Sequence, residues 1–149
     1  MVRTIPPKPQ IGNNAARHTE TVKKLRVAAY VRVSTENEEQ QTSFEAQYEH
    51  YYDYITNNPA WEFAGIYADD GISAVSTKYR EQFNKMIQDC MDGKIDYVVT
   101  KSISRFARNT VDCLQIARNL KDKGIFIYFE KEHIDTGNMD SELMLSIFS

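Results

Sequence analysis

From Leu25 to Phe129 the chain alternates apolar runs of strand length with segments of helical period, and this alternation restricts its fold more than any other feature. The first run, Leu25–Val33 (LRVAAYVRV), is nearly continuously apolar. Phe44, Tyr48, Tyr51, Tyr52 and Ile55 then fall on one helical face, and Asn57-Asn58-Pro59 stops that helix. A second strand is expected over Trp61–Ala68, followed by a polar loop from Asp69 to Lys78. Phe83, Met86, Ile87, Cys90 and Met91 mark a second helix with Gly93 just past its end. A third strand is expected over Ile95–Thr100. Cys113, Ile116, Ala117 and Leu120 mark a third helix, closed by Gly124, and Ile125–Phe129 is a fourth strand. Strands interleaved with helices imply a three-layer α/β/α fold around a mostly parallel central sheet of four to five strands. Glu142–Phe148 is apolar on nearly every side, with Met139, Leu143, Met144, Ile147 and Phe148 giving two partly apolar faces. One sheet cannot cover both, so this C-terminal helix is expected to be a subunit interface, a helix cut short where the sequence ends, or both.

The 149 residues suit one domain, and 42% hydrophobic with 26% charged residues is a globular composition. Residues 1–22, with Pro6, Pro7, Pro9 and Gly12 and no apolar period, read as a mobile arm preceding a domain at 23–149. No stretch is long and apolar enough for a membrane span, and no secretory signal is legible, so the expected location is cytoplasmic. Cys90 and Cys113 are far apart and outside any CxxC, which points to buried, inert thiols.

A net charge of −3 argues against gripping nucleic acid through bulk charge. Its distribution is uneven. Residues 33–77 hold nine acids and no Lys or Arg, whereas residues 94–123 hold seven bases against three acids. Such a strip suits one phosphate at one place.

Ligands of open α/β sheets bind beyond the C-terminal strand ends. There the sequence offers Arg32, Ser34 and Thr35 after the first strand, Lys78 and Arg80 after the second, and Lys101-Ser102-Ile103-Ser104-Arg105-Phe106-Ala107-Arg108 after the third. The spacing of Arg105 and Arg108 predicts two guanidiniums on one side of a helical turn, suited to bidentate phosphate contact or to surface ion pairs. Asn109 and Thr110 read as caps for the next helix. Ser34 by itself reads as a helix cap before it reads as a nucleophile. No GxSxG occurs, and His18, His50 and His133 lie away from the first three strand ends, so an acyl-transfer triad fits poorly. GxGxxG and P-loop fingerprints are absent. Asp69 and Asp70 could hold a cation, but without a partner cluster they read first as solvated loop residues. Tyr48, Tyr51, Tyr52 and Tyr54, at helical spacing, read as core before they read as base-stacking residues.

Together these segments resemble the catalytic domain of serine recombinases, the resolvase and invertase family, and most closely the large serine recombinases of mobile elements. The resemblance rests on Tyr30-Val31-Arg32-Val33-Ser34-Thr35, on Gln41 and Ser43-Phe44-Glu45-Ala46-Gln47, on Asp70-Gly71-Ile72-Ser73 and Arg80, and on Ser104-Arg105-Phe106-Ala107-Arg108-Asn109-Thr110. It covers about residues 25–149. It implies a site-specific recombinase without a cofactor or a metal. Ser34 would attack a DNA phosphodiester to form a 5′-phosphoserine, with Arg32, Arg105 and Arg108 as its catalytic partners and Arg80, Gln47, Lys101 and Gln41 on the substrate phosphate. It further implies double-stranded DNA as partner, a homodimer that becomes a tetramer on DNA, and DNA-binding parts that follow the final helix. Ser104 stands where smaller members carry an Asp before the first arginine, so no role of that carboxylate carries over. The competing reading is a catalytically inactive recombinase-like module for dimerisation or phosphate binding.

Overall fold

The computed structural model describes residues 23–33, 38–70 and 80–148, leaving out the side chains of 38–43. Strand β1 (Leu25–Val33) leads to helix α1 (Glu38–Thr56), β2 (Trp61–Asp70) and α2 (Glu81–Met91). Then come β3 (Tyr97–Thr100), the single turn α3 (Ile103–Phe106), α4 (Thr110–Asp122), β4 (Phe126–Phe129), the short β5 (Ile134–Asp135), a 3-10 turn (Thr136–Asn138) and α5 (Ser141–Phe148). The sheet order is β2-β1-β3-β4-β5. All pairs are parallel except β4–β5. The expected three-layer fold is therefore present, with a fifth, antiparallel edge strand.

Alternation along β1 divides the core in two. Val27, Ala29, Val31 and Val33 pack with Val99 beneath Tyr51 and Ile55 of α1. Ala28 and Tyr30 face the other way, into a larger core with Phe83, Met86 and Cys90 of α2, Phe106, Cys113, Ala117 and Leu120, and Met144 and Phe148 of α5. Burial pushes both thiols, Cys90 and Cys113, up to about 12, as expected of inert cysteines. Against β1, β2 shifts register between Val27 and Ala28, and Gly65 takes a φ of +132° there, a conformation that a side chain would strain.

Several expectations require correction. Asp69 and Asp70 belong to β2, not to a loop, because they continue the pairing with Arg32 and Val33. Of the helical tyrosines only Tyr51 is core. Tyr48, Tyr52 and Tyr54 lie on the exposed side of α1, where Tyr48 stacks on Tyr52 and Tyr54 meets Trp61 edge-on. Nineteen helical residues laid across a sheet bury one stripe only, and tyrosines filled the borders of that stripe too. Met139 precedes α5 and is buried there. Strands β3 and β4 begin later than expected, at Tyr97 and Phe126. The arm at 1–22 lies outside the described residues.

Candidate functional site

Strand β1 connects to β2 on one side of itself, and β3 then joins it on the other, so the strand order reverses between β1 and β3. At such a switch point the connections diverge and leave a crevice at the C-terminal strand ends. The Thr100 hydroxyl donates to the Tyr30 carbonyl at 3.0 Å and ties the two strands just below it. Above, Arg105 Nη1 donates to the Arg32 carbonyl at 2.7 Å, spanning the crevice from the α3 turn to the end of β1. Ser34 follows Val33, the last residue of β1. Ser34 lies outside the described residues, as does the side chain of Gln41, whose backbone is in α1.

The expected arrangement of Arg105 and Arg108 on one helical turn does not hold. The α3 turn ends at Phe106, Ala107 is extended (φ −137°, ψ 157°), and Asn109 opens α4 by accepting from Asp112 N at 2.8 Å. The two arginines belong to different elements because Ser102 and Asn109 each cap their own helix start. Arg108 is exposed and shares with Arg80, Phe83, Asn84, Gln88 and Asp112 a groove of about 290 Å³.

Arg80 is only 5% exposed. Its guanidinium lies 3.7 Å from the Phe83 ring centroid and donates through Nη2 to the Phe106 carbonyl, while Nε has no partner. Among the described residues no carboxylate ion-pairs with it. A buried cation left without a counter-charge is costly unless something supplies one. Tyr30 supports Arg80 from below: its hydroxyl donates to Asp69 at 2.9 Å, and burial pushes its pKa up to about 12. The Asp69 carboxylate also accepts from Gln82 N and Phe83 N at 2.9 Å each, capping α2 directly after Arg80. Asp69 is thus a buried structural acceptor and not a solvated loop residue.

On the α1 side of the same edge, Gln47 and Lys101 line a second cavity of about 520 Å³ with His50, Tyr51, Glu130 and Lys131. Tyr51 donates its hydroxyl to Glu130, and its pKa rises through burial first and that hydrogen bond second. His50 Nε2 lies 3.4 Å from the other Glu130 oxygen. The candidates therefore gather in two groups flanking the switch point: Arg80 with Arg108, and Gln47 with Lys101. The Arg32–Arg105 contact lies at the switch point. Local pattern gives Tyr30, Asp69, Phe83 and Glu130 no place at the site. Glu130 was findable, because it directly follows β4 and the strand-end rule applies there as it does to β1–β3.

An α/β domain with arginines at and beside its switch point has the guanidinium groups that suit a bound phosphate. The comparisons narrow this. Residues 27–149 match the family described as Resolvase, N terminal domain, and the chain belongs to that family, the serine recombinases. The chain is 35% identical over 97 residues to the transposon Tn21 resolvase of Escherichia coli, covering 60% of this chain and 50% of that protein. It thus spans about half the length of that relative. Its fold matches a resolvase family site-specific recombinase from Streptococcus pneumoniae with a TM-score of 0.67 and 31% identity, over 83% of this chain and 85% of that one. The N-terminal catalytic domain of TP901-1 integrase, at 24% identity, matches in fold with a TM-score of 0.64 over 83% of this chain and 90% of that one.

Proposed function

We propose that this domain cuts and rejoins double-stranded DNA at specific sites, with Ser34 as nucleophile. The Ser34 hydroxyl attacks the scissile phosphorus, an O–P bond forms, and the bond from phosphorus to the 3′ oxygen breaks. The 5′ end is then held as phosphoserine, and the 3′ oxygen leaves as a hydroxyl carrying the proton. After strand exchange, a 3′-hydroxyl attacks the phosphoserine and returns the proton to Ser34. Negative charge on the non-bridging oxygens grows on the way to each transition state, and planar guanidiniums suit it.

The observation that carries this reading is the buried Arg80 guanidinium, which has no carboxylate partner among the described residues and shares its groove with Arg108. A scissile phosphate would supply the missing counter-charge. Arg32 and Arg105, joined beside the strand end that leads into Ser34, support the same placement. Gln47 and Lys101, and Gln41 from the same helix, would hold the flanking backbone. In this reading the partners are recombination sites in duplex DNA and further copies of the chain, paired through α5 and doubled to a tetramer on DNA.

The test is covalent capture. The whole protein is incubated with a duplex carrying its recombination site and quenched in detergent. An adduct to the 5′ end is expected in the wild type and none in Ser34→Ala, with DNA binding retained. An adduct that persists in Ser34→Ala overturns the assignment. Absence of any adduct from a DNA-bound wild type favours an inactive binding module.

A further inference from the structure

Beyond β4, the turn Glu130–His133 reaches toward the α3 turn. The β3–β4 pairing continues past the strand ends, with Glu130 N donating to Thr100 O at 3.0 Å and Lys131 N to Lys101 O at 2.7 Å. These bonds carry the turn alongside the residues that lead into α3. His133 then takes a φ of 56°, the sole positive φ among the described non-glycine residues. A histidine in this region is uncommon and persists where its surroundings hold it. Between these features lies Glu132, whose two carboxylate oxygens accept from Ile103 N at 3.2 and 3.4 Å.

We infer that Glu132 is a positioning residue for Arg105, holding the first amide of the α3 turn so that the guanidinium reaches across the crevice to β1. This rests on the reading of Arg105 as a phosphate-binding group. In the four-residue α3 turn Arg105 N, Phe106 N and Ala107 N reach backbone carbonyls, whereas Ile103 N, a first-turn amide, has none within the turn. Its first turn is fixed from outside at two points. The Ser102 hydroxyl accepts from Arg105 N at 3.3 Å, and Glu132 takes Ile103 N. Nothing within the turn replaces Glu132: residue 104 is a serine whose hydroxyl lies 3.1 Å from that of Ser102. Two residues after Ile103, Arg105 makes its 2.7 Å bond to Arg32, so the path from the Glu132 carboxylate to the strand that leads into Ser34 passes through one turn. A carboxylate also suits the positive end of even a short helical turn. Among the described residues Glu132 has no hydrogen bond or ion pair with Arg32, Arg80, Lys101 or Arg108, so the inferred effect travels through the α3 turn and Arg105.

The experiment is a double-mutant cycle in the whole protein, read as single-turnover cleavage at saturating site DNA, with DNA affinity and thermal melting measured in parallel. E132A is expected to slow cleavage about tenfold or more with unchanged affinity. E132Q, which keeps an acceptor oxygen for Ile103 N, is expected to recover most of the rate. R105K is expected to be slow, and E132A in the R105K background to add little. Full additivity of the two losses, or a wild-type rate for E132A beside a slow R105K, overturns the inference and leaves the Arg105 reading standing. A wild-type rate for R105K overturns both. If E132A fails to fold, E132Q with R105K decides: E132Q slowed as much as R105K, with melting unchanged, overturns the acceptor role assigned to the side-chain oxygen.

Discussion

Arg105 and Arg108 carry the same charge on the same side-chain type, yet their surroundings differ. Arg105 is half-buried and bound to the Arg32 carbonyl, whereas Arg108 is exposed at the mouth of the Arg80 groove. Lysine in either place keeps the charge and loses the planar fork. Loss of one charge-assisted contact that strengthens in a transition state is worth about 3 kcal/mol, or roughly 100-fold in rate. Each Lys variant is therefore expected to lose about 100-fold in cleavage of site DNA, with Arg105→Lys also losing its bond across the crevice. Near-normal cleavage by both would return the pair to ordinary surface charges. The sequence placed both arginines beyond β3, at the C-terminal sheet edge, but could not separate their surroundings. Their spacing of three residues reads as a shared helical face, and the break at Ala107 falls between two helix starts, one capped by Ser102 and the other by Asn109.

Among the elements, α2 is held at both ends by carboxylates that the sequence showed only as polar residues. At its start Asp69 supplies the cap, because Arg80 in the N-cap place makes no side-chain cap bond. Near its end Asp89 accepts from Tyr67 at 2.6 Å and from Lys85 at 3.4 Å. These bonds, the Tyr67 one foremost, hold the Asp89 carboxyl below the usual aspartate range. A depressed folded-state pKa means that the stabilisation is complete above the unfolded value, about 4, and is lost as pH falls through the folded value. Tyr67→Phe removes the largest cause of that depression. It is expected to lower stability by about 1.5 kcal/mol at pH 7, with the gap from wild type narrowing below about pH 4. Denaturant unfolding of both proteins at pH 7 and pH 3 checks this; an equal gap at both values would show that the bond's worth does not depend on the carboxylate charge.

At the scale of the whole molecule, α5 divides its apolar residues between two surroundings. Met144 and Phe148 are buried in the large core, while Leu143, Leu145 and Ile147 are 45%, 48% and 39% exposed. No helix among the described residues is long and apolar enough to cross a membrane. The proposed occupant of that face is a second copy of the chain. Leu143→Asp with Ile147→Asp is expected to weaken self-association in sedimentation over a concentration series while leaving the melting of the monomer within about 1 kcal/mol, since exposed positions contribute little to folding. Association unchanged in the double variant would remove α5 from the interface.

Local pattern by itself determined the order of the four parallel strands and the long helices between them, the α/β class and the sheet edge that bears the candidate residues. Each of those follows from apolar period and from capping residues, which act over a few positions. Tertiary structure decided what depends on distant partners. Asp69 became a buried cap because α2 starts beside the end of β2, and Arg80 lost its solvent because Phe83 and Phe106 close over it. Glu130 and Glu132 joined the site because β4 pairs with β3 and carries its outgoing turn past Lys101 and Ile103, 29 residues upstream of Glu132. No short-range pattern encodes such a meeting, since it is set by which strands pair and on which side of β1 they lie.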